Sequence, residues 1–475
     1  MVQLNSSHGG ATMRSGIINL MNTILGAGLL SVPYAIKCDG VLLGVLFVLF
    51  SAFTSGLGLY LLAISASYTI PGHASFFSLS KLTVPQLGIV FDLAIAIKCF
   101  GVACSYLIVV GDLMPQIMDS ICSDHTLQTH PWVLSRTLWI TLFLAAILPL
   151  VYKRKLDSLK TASLVALSSV GYLVILVVVH FVHIWSGGKE DIIKGPVHLL
   201  KPNSVVAILS SFPILVFGFT CHQNQLGIIN ELHDRSLASV TKMNIVSIGS
   251  ACLLYIIVGL SGYLTFGDTV SGNIIAMYPN SASSTIGRIA IVILVTLSYP
   301  LQSNPARASI NHVAYYINDS NLANSIRSLS RSTTSSTLMT AEERRNLISQ
   351  ASPLNGTALF DDSFATDEEN EGDHYVELTN TKLVVITTII VVSSYIVAIT
   401  VKSLAHVLAI VGSTGSTSIS FILPGFFAYK LIGEDSARLS TKESILKYSG
   451  LLLLVWGFIV MTICLSATLL LGTTH

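Results

Sequence analysis

Eleven apolar segments, each near the ~20 residues that a helix needs to cross a bilayer, divide the chain. They fall at approximately 15–36, 41–68, 84–118, 132–152, 159–185, 204–232, 239–266, 285–304, 382–401, 404–431 and 448–471. In hydrocarbon every backbone amide and carbonyl must be satisfied within the protein, so segments of this length and polarity are helices. The expected fold is an all-α integral membrane protein with eleven transmembrane helices. Composition decides against a water-soluble enzyme: 11% of residues are charged and 52% are hydrophobic, whereas soluble domains carry roughly 25% charged residues. A net charge of +1 gives no electrostatic case for nucleic acid. The seven cysteines, at 38, 99, 104, 122, 221, 252 and 464, form no CxxC pair and no metal-ligand spacing. No metal and no cofactor is expected. Neither a carboxylate pair nor a nucleophile with its base stands out, so an enzyme is not expected either.

Basic residues orient the chain. Of the 26 Lys and Arg, eighteen fall on one set of alternate flanks, seven on the opposite set, and one, Lys98, lies inside the third segment. By the positive-inside rule the N-terminus is cytosolic and the C-terminus luminal. The first sixteen residues lack the pattern of a cleaved signal peptide. The expected organisation is a cytosolic tail at 1–14, spans 1 to 8 at 15–309, a cytosolic loop at 310–381, spans 9 to 11 at 382–471 and a luminal tail at 472–475. The sequons at Asn5, Asn318 and Asn355 then all face the cytosol and carry no glycan.

Two spans are irregular where a membrane helix should be most regular. The first reads NTILGAGLLSVP from Asn22 to Pro33, and the sixth carries Pro213, Gly218 and the polar run Thr220, Cys221, His222, Gln223, Asn224. Interrupted backbone survives in a bilayer only where protein, water or a ligand satisfies it. Five spans separate the two starts, an odd number, so a second five-helix copy enters the membrane inverted. Paired breaks in inverted halves point to a transporter site at the midplane, a rule for which the leucine-transporter fold is a standing example. Such a site suits an amino acid. Free amides and the positive end of the half-helix beginning near Ala27 meet the α-carboxylate. Carbonyls around Asn22, Thr23 and Gly26, and around Phe217, Gly218, Phe219 and Cys221, accept from the ammonium. Taken alone, Gly26 and Gly28 read equally as a close helix-packing motif. Lys98 is either an intramembrane functional group or a side chain that snorkels to an interface. His222 is either a group titrating near the pH of an acidic compartment or a neutral histidine bonded within the bundle.

Five stretches in order, INLMNTILGAGLLSVPYA (18–35), CFGVACSYLIVVGD (99–112), FGFTCHQNQLGIINEL (217–232), TLSYPLQSNPARASI (296–310) and VGSTGSTSISFILPG (411–425), resemble the amino acid/auxin permease family. Within it they are most similar to the fungal vacuolar amino acid transporters. The resemblance implies eleven spans, a leucine-transporter-like 5+5 inverted repeat with broken helices 1 and 6 plus one extra helix, and ion-coupled amino acid transport at a vacuolar or lysosome-like membrane. It also implies that Asn22 matches an ion-holding residue of sodium-coupled members, with Thr296 or Ser298 as its hydroxyl partner. Lys98 departs from that pattern, which favours proton coupling and leaves sodium as the alternative. A second functional alternative is an amino-acid-sensing receptor that signals through the cytosolic loop.

That loop, from about residue 318 to 381, is polar, Ser/Thr-rich and charged, a composition that cannot bury enough apolar surface to fold alone. Within it Glu343, Leu347 and Ile348 have the spacing of an acidic dileucine sorting signal. The expected partners are therefore the lipid bilayer, an amino acid substrate, a sorting adaptor and kinases.

Overall fold

The computed structural model describes residues 10–152, 159–188, 192–200, 204–318, 378–434 and 439–471. No strand forms among them; an isolated bridge pairs Ala11 with Leu232. In chain order the helices are α1 (Met13–Ile24), α2 (Ala27–Asp39), α3 (Val41–Ala66), α4 (Phe76–Thr83), α5 (Gly88–Ile121), α6 (Asp124–Thr129), α7 (Arg136–Val151) and α8 (Leu159–Trp185). There follow α9 (Val205–Gly218), α10 (His222–Glu231), α11 (Leu237–Phe266), α12 (Ala282–Asn318), α13 (Asn380–Thr400), α14 (Leu404–Val411), α15 (Leu423–Leu431) and α16 (Thr441–Ser466).

Among the described residues nine segments are long and apolar enough to cross a bilayer, and the pair α1–α2, bent by 53°, makes a tenth. The eleventh expected span corresponds to α7, a helix of 16 residues. At 1.5 Å per residue it reaches ~24 Å, short of the ~30 Å hydrocarbon core. The expected start of the cytosolic loop also shifts, because α12 continues to Asn318. Glu343, Leu347, Ile348 and the sequons Asn5 and Asn355 lie outside the described residues.

Both expected breaks are present. Thr12 caps α1 by accepting from Ser15 N at 3.3 Å. That helix ends at Leu25, whose amide reaches back to Met21 O, and Gly26 turns the chain into α2. In the sixth span α9 ends at Gly218, residues 219–221 are irregular, and α10 restarts at His222. The tenth span, α14 to α15, is interrupted differently, by π-helical turns at Gly412–Ser416 and Ser418–Ile422. Its glycines permit close backbone approach: a Cβ on Gly412 would fall on the Pro213 carbonyl, and one on Gly415 would lie 2.7 Å from Lys98 N.

The long helix α5 is the most enclosed span, with 83% of its most apolar window buried. It packs along α12 and against α7, α13 and α14. Polar ties fix this group. Arg136 of α7 pairs with Asp112 of α5 at 3.3 Å and donates to the Ala398 and Val401 carbonyls at the end of α13. Tyr299 of α12 meets Ser394 of α13 at 2.7 Å, and Arg307 donates to Val151 O and Thr387 Oγ1.

Candidate functional site

The two breaks face one another across a narrow, largely buried cavity. It is lined by Thr23, Ile24, Gly26, Ala27 and Gly28 from the first span, Phe217 and Thr220 from the sixth, Lys98, Val102 and Tyr106 from α5, and Gln302 from α12. At this cavity one helix ends and another begins. Gly26 is the N-cap of α2 and no side chain caps that helix. The first amides of a helix lack intrahelical acceptors and carry its positive dipole end. The last turn of α1 is the complementary negative end, with Ile24 O already bonded to the Gly26 amide and the Tyr255 hydroxyl.

The breaks are held by hydrogen bonds from neighbouring spans. The Tyr255 hydroxyl, on α11, is 2.7 Å from Ile24 O and 2.8 Å from Gly218 O, so one group serves a carbonyl of each broken helix. The ring of Phe219 packs 4.8 Å from that of Tyr255. Ser55 of α3 donates to Phe219 O at 2.9 Å, and Gln225 donates to Leu59 O at 2.8 Å. Asn224 donates to Thr23 Oγ1 at 2.8 Å, joining α10 to α1.

Of the residues expected from sequence, Thr23, Gly26, Ala27, Gly28, Phe217 and Lys98 line the cavity. Lys98 is 2% exposed, which removes the snorkelling alternative. Gly28 meets both of its readings: it lines the cavity, and a Cβ there would lie 2.8 Å from Gly218 Cα, so it is also a close-packing contact between α2 and α9.

The others stand around the cavity rather than on its wall. Gly218, Phe219 and Cys221 form the turn of the sixth span, all buried, with Cys221 as N-cap of α10. Asn22 lies one residue before the lining stretch, on the last turn of α1. Thr296 donates to Val292 O within its own helix at 2.6 Å. Ser298 lies near the Tyr106 hydroxyl. His222 is fully buried against α3, with Nε2 3.1 Å from Ser55 O and no partner at Nδ1. Its placement matches a histidine bonded within the bundle.

Tyr106, Val102, Thr220, Gln302 and Ile24 are cavity residues that the sequence argument did not assign. Gln302 carried a signal in the flanking Pro300 and Pro305, which mark irregular polar backbone inside a span. Among the described residues no group of His, Cys, Asp and Glu is arranged to hold a metal.

Among solved structures, the chain is similar to that of MhsT in complex with L-phenylalanine. The TM-score is 0.51 at 12% identity, covering 96% of this chain and 100% of that one. At that identity the likeness concerns the fold, a leucine-transporter-like helical bundle with broken spans. Two interrupted helices meeting at a buried cavity are also the arrangement found at the substrate sites of secondary transporters. Residues 9–465 match the family model described as transmembrane amino acid transporter protein, and the chain belongs to that family. It is 45% identical to vacuolar amino acid transporter 6 of Saccharomyces cerevisiae, over 97% of this chain and 99% of that protein. It is 39% identical to vacuolar amino acid transporter 5 of Schizosaccharomyces pombe, over 96% and 94%. A more distant relative is solute carrier family 38 member 8 of Mus musculus, 27% identical over 62% of this chain and 67% of that protein.

Proposed function

We propose that the protein moves amino acids across a vacuolar membrane by alternating access, driven by protons. The observation that carries this reading is the cavity at the two breaks, where the uncapped start of α2 and the last turn of α1 offer amides and carbonyls to the two charged ends of an amino acid. The names of relatives at 39–45% identity support the substrate class and the vacuolar membrane. Proton coupling rests on Lys98. A lysine on the cavity wall is a group that can take up and release a proton, and its ammonium form repels a sodium ion bound beside it. The loop at 310–381 is proposed to face the cytosol and to receive sorting adaptors and kinases, with the N-terminus cytosolic and the C-terminus luminal.

Purified protein in proteoliposomes tests the reading. A panel of amino acids is offered under an imposed pH gradient without sodium, and then under a sodium gradient at equal pH. Accumulation under the first condition alone is expected. Accumulation under the sodium gradient alone would remove proton coupling, and saturable binding without flux would convert the transporter into a receptor.

A further inference from the structure

The segment that joins α11 to α12 is buried although it belongs to no span. Val270, Ile274 and Ile275 are fully enclosed, and Tyr278 nearly so. Ile274 packs on α11 at Gly262 and Ile275 on α12 at Gly287, where a Cβ would come within 3.3 and 3.2 Å of their Cδ1 atoms. Ser31 of α2 donates to Gly272 O, and Lys37 donates to Val270 O at 3.1 Å. Ser31 stands about one helical turn beyond Gly28 of the cavity wall. Residues 270–278 therefore cover the cavity on the face opposite the N-terminus, the face that the orientation proposed above assigns to the lumen.

The root of this cover is stitched to a strap, residues 192–200, that follows α8 and leads toward α9. Gly195 N donates to Phe266 O at 2.8 Å, Asp268 N to Pro196 O at 3.0 Å and Thr269 Oγ1 to Ile193 O at 2.7 Å. On its other side the strap accepts from the Val41 and Leu42 amides at the start of α3. One contact is ionic: His198 Nε2 lies 3.1 Å from Asp268 Oδ2, while the Tyr263 hydroxyl donates to Asp268 Oδ1 at 3.0 Å. The titratable groups around this pair, among the described residues, are Tyr263 on α11, Lys37 and Cys38 near the end of α2, and Lys194 on the strap. Asp39, the last residue of α2, is bonded instead to Ser211 of α9. The start of α3 contributes only backbone.

We propose that His198 and Asp268 form an acid-operated catch: acid on the luminal face pins the root of residues 270–278 to the strap, and a neutral lumen loosens it. Histidine is the side chain that changes charge between pH 5 and 8. Protonated, His198 meets Asp268 as an ion pair; neutral, it offers a hydrogen bond roughly half as strong. The other stitches are backbone and hydroxyl contacts and a lysine ammonium, groups of a kind that do not titrate in that range. The cover has to lift for the cavity to open on that side, so acid favours the covered state. Both side chains are partly exposed, at 35% and 23%, so the effect is that of a surface pair, roughly two- to fivefold. The catch goes beyond the transport reading and rests on it only for which face is luminal.

Hydrogen exchange of the full chain in nanodiscs tests this, read at about pH 5 and about pH 8 and corrected for the intrinsic pH dependence of exchange. Peptides covering 193–200 and 266–272 are expected to exchange roughly two- to fivefold more slowly at the lower pH. His198→Gln, neutral throughout, is expected to abolish the difference. His198→Lys, a cation at both pH values, is expected to keep the slow exchange at both. A second readout follows the cover itself. Labelling of Ile274→Cys by a water-soluble maleimide, divided by labelling of its exposed neighbour Ser271→Cys, is expected to fall by a similar factor at the lower pH, and the ratio cancels the pH dependence of the thiol. Should Ile274→Cys not fold, wild-type exchange over 270–278 reports the cover instead. A wild-type strap that ignores pH overturns the proposal, as does a pH difference that survives in His198→Gln. A strap that responds while the cover does not overturns it too, because catch and cover would then be unconnected. None of these measurements uses a substrate, so their failure leaves transport untouched, and failure of transport in proteoliposomes leaves the catch standing.

Discussion

Tyr255→Phe removes one oxygen and its hydrogen and changes nothing else in size. The hydroxyl is completely buried and lies 2.7 Å from Ile24 O and 2.8 Å from Gly218 O, the carbonyls released where the first and sixth spans break. One proton serves two acceptors, so the loss is counted once. Ile24 O keeps the Gly26 amide as a donor at 2.9 Å, so the acceptor that loses its donor is Gly218 O, at a cost of about 1–3 kcal/mol. The cost falls on the conformation in which both breaks meet Tyr255. A bias of that size corresponds to roughly a 5- to 150-fold shift between states, and the apparent affinity for substrate weakens by the fraction of molecules that leave the binding-competent state. The assay is equilibrium binding of labelled substrate to purified protein in nanodiscs, with counterflow as the functional readout. Tyr255→Phe is expected to bind more weakly, by a factor no larger than that shift, with little loss of folded protein, because the ring still packs on Phe219. Wild-type affinity in the variant would refute the claim that the hydroxyl holds the two breaks together.

Two further outcomes follow from contacts. At Gly28 a Cβ would meet Gly218 Cα at 2.8 Å, whereas at Gly26 it would meet only the Tyr106 hydroxyl at 3.3 Å. Restoring a normal carbon contact at Gly28 needs α2 and α9 to separate by roughly 0.7–1.2 Å. Gly28→Ala should therefore depress counterflow far more than Gly26→Ala, and equal rates in the two variants would contradict this. Arg136→Ala breaks the tie of α7 to Asp112 and to the Ala398 and Val401 carbonyls. It should lower the stability of detergent-solubilised protein by roughly 1–3 kcal/mol, with only partial recovery in Arg136→Lys because an ammonium lacks the fork geometry; thermal unfolding measures both.

How far the sequence led depended on which signals the membrane leaves readable. The breaks were legible because Gly26, Gly28 and the run from Thr220 to Asn224 violate what lipid demands of a helix, and both breaks fall where expected. Lys98 was legible for the same reason. The inward faces of intact spans were not. In α5 the residues toward the cavity (Lys98, Val102, Tyr106) recur every fourth position, but lipid-facing Val90, Leu93 and Ile97 are as apolar as the buried core, so periodicity has no polar face to mark the other side. Tyr255 was hidden likewise: a tyrosine among Leu, Ile and Val reveals its role only once its acceptors come from spans more than 30 residues away in sequence. Placing His222 required knowing that α3 runs alongside α10, a long-range contact that no local pattern carries.

The hydrogen bonds sort the helices around the cavity into two sets, and the sorting bears on mechanism. Tyr255 joins α11 to both breaks, Ser55 and His222 join α3 to the sixth span, and Asn224 joins the sixth span to the first. A further buried contact, Ser211 to Asp39 at 2.8 Å, ties the middle of α9 to the last residue of α2. These bonds make one connected set of spans 1, 2, 6 and 7. The ties of Arg136, Tyr299 and Arg307 make another from α5, α7, α12 and α13. The cavity lies on the seam, with backbone amides and carbonyls contributed by the first set and Lys98, Tyr106 and Gln302 by the second. A substrate that touches both sets is then a bond across the seam, present only when the two are closed on each other. Binding energy spent this way acts on the relative position of the sets rather than on either one, which is the differential interaction that any ligand-driven conformational change requires.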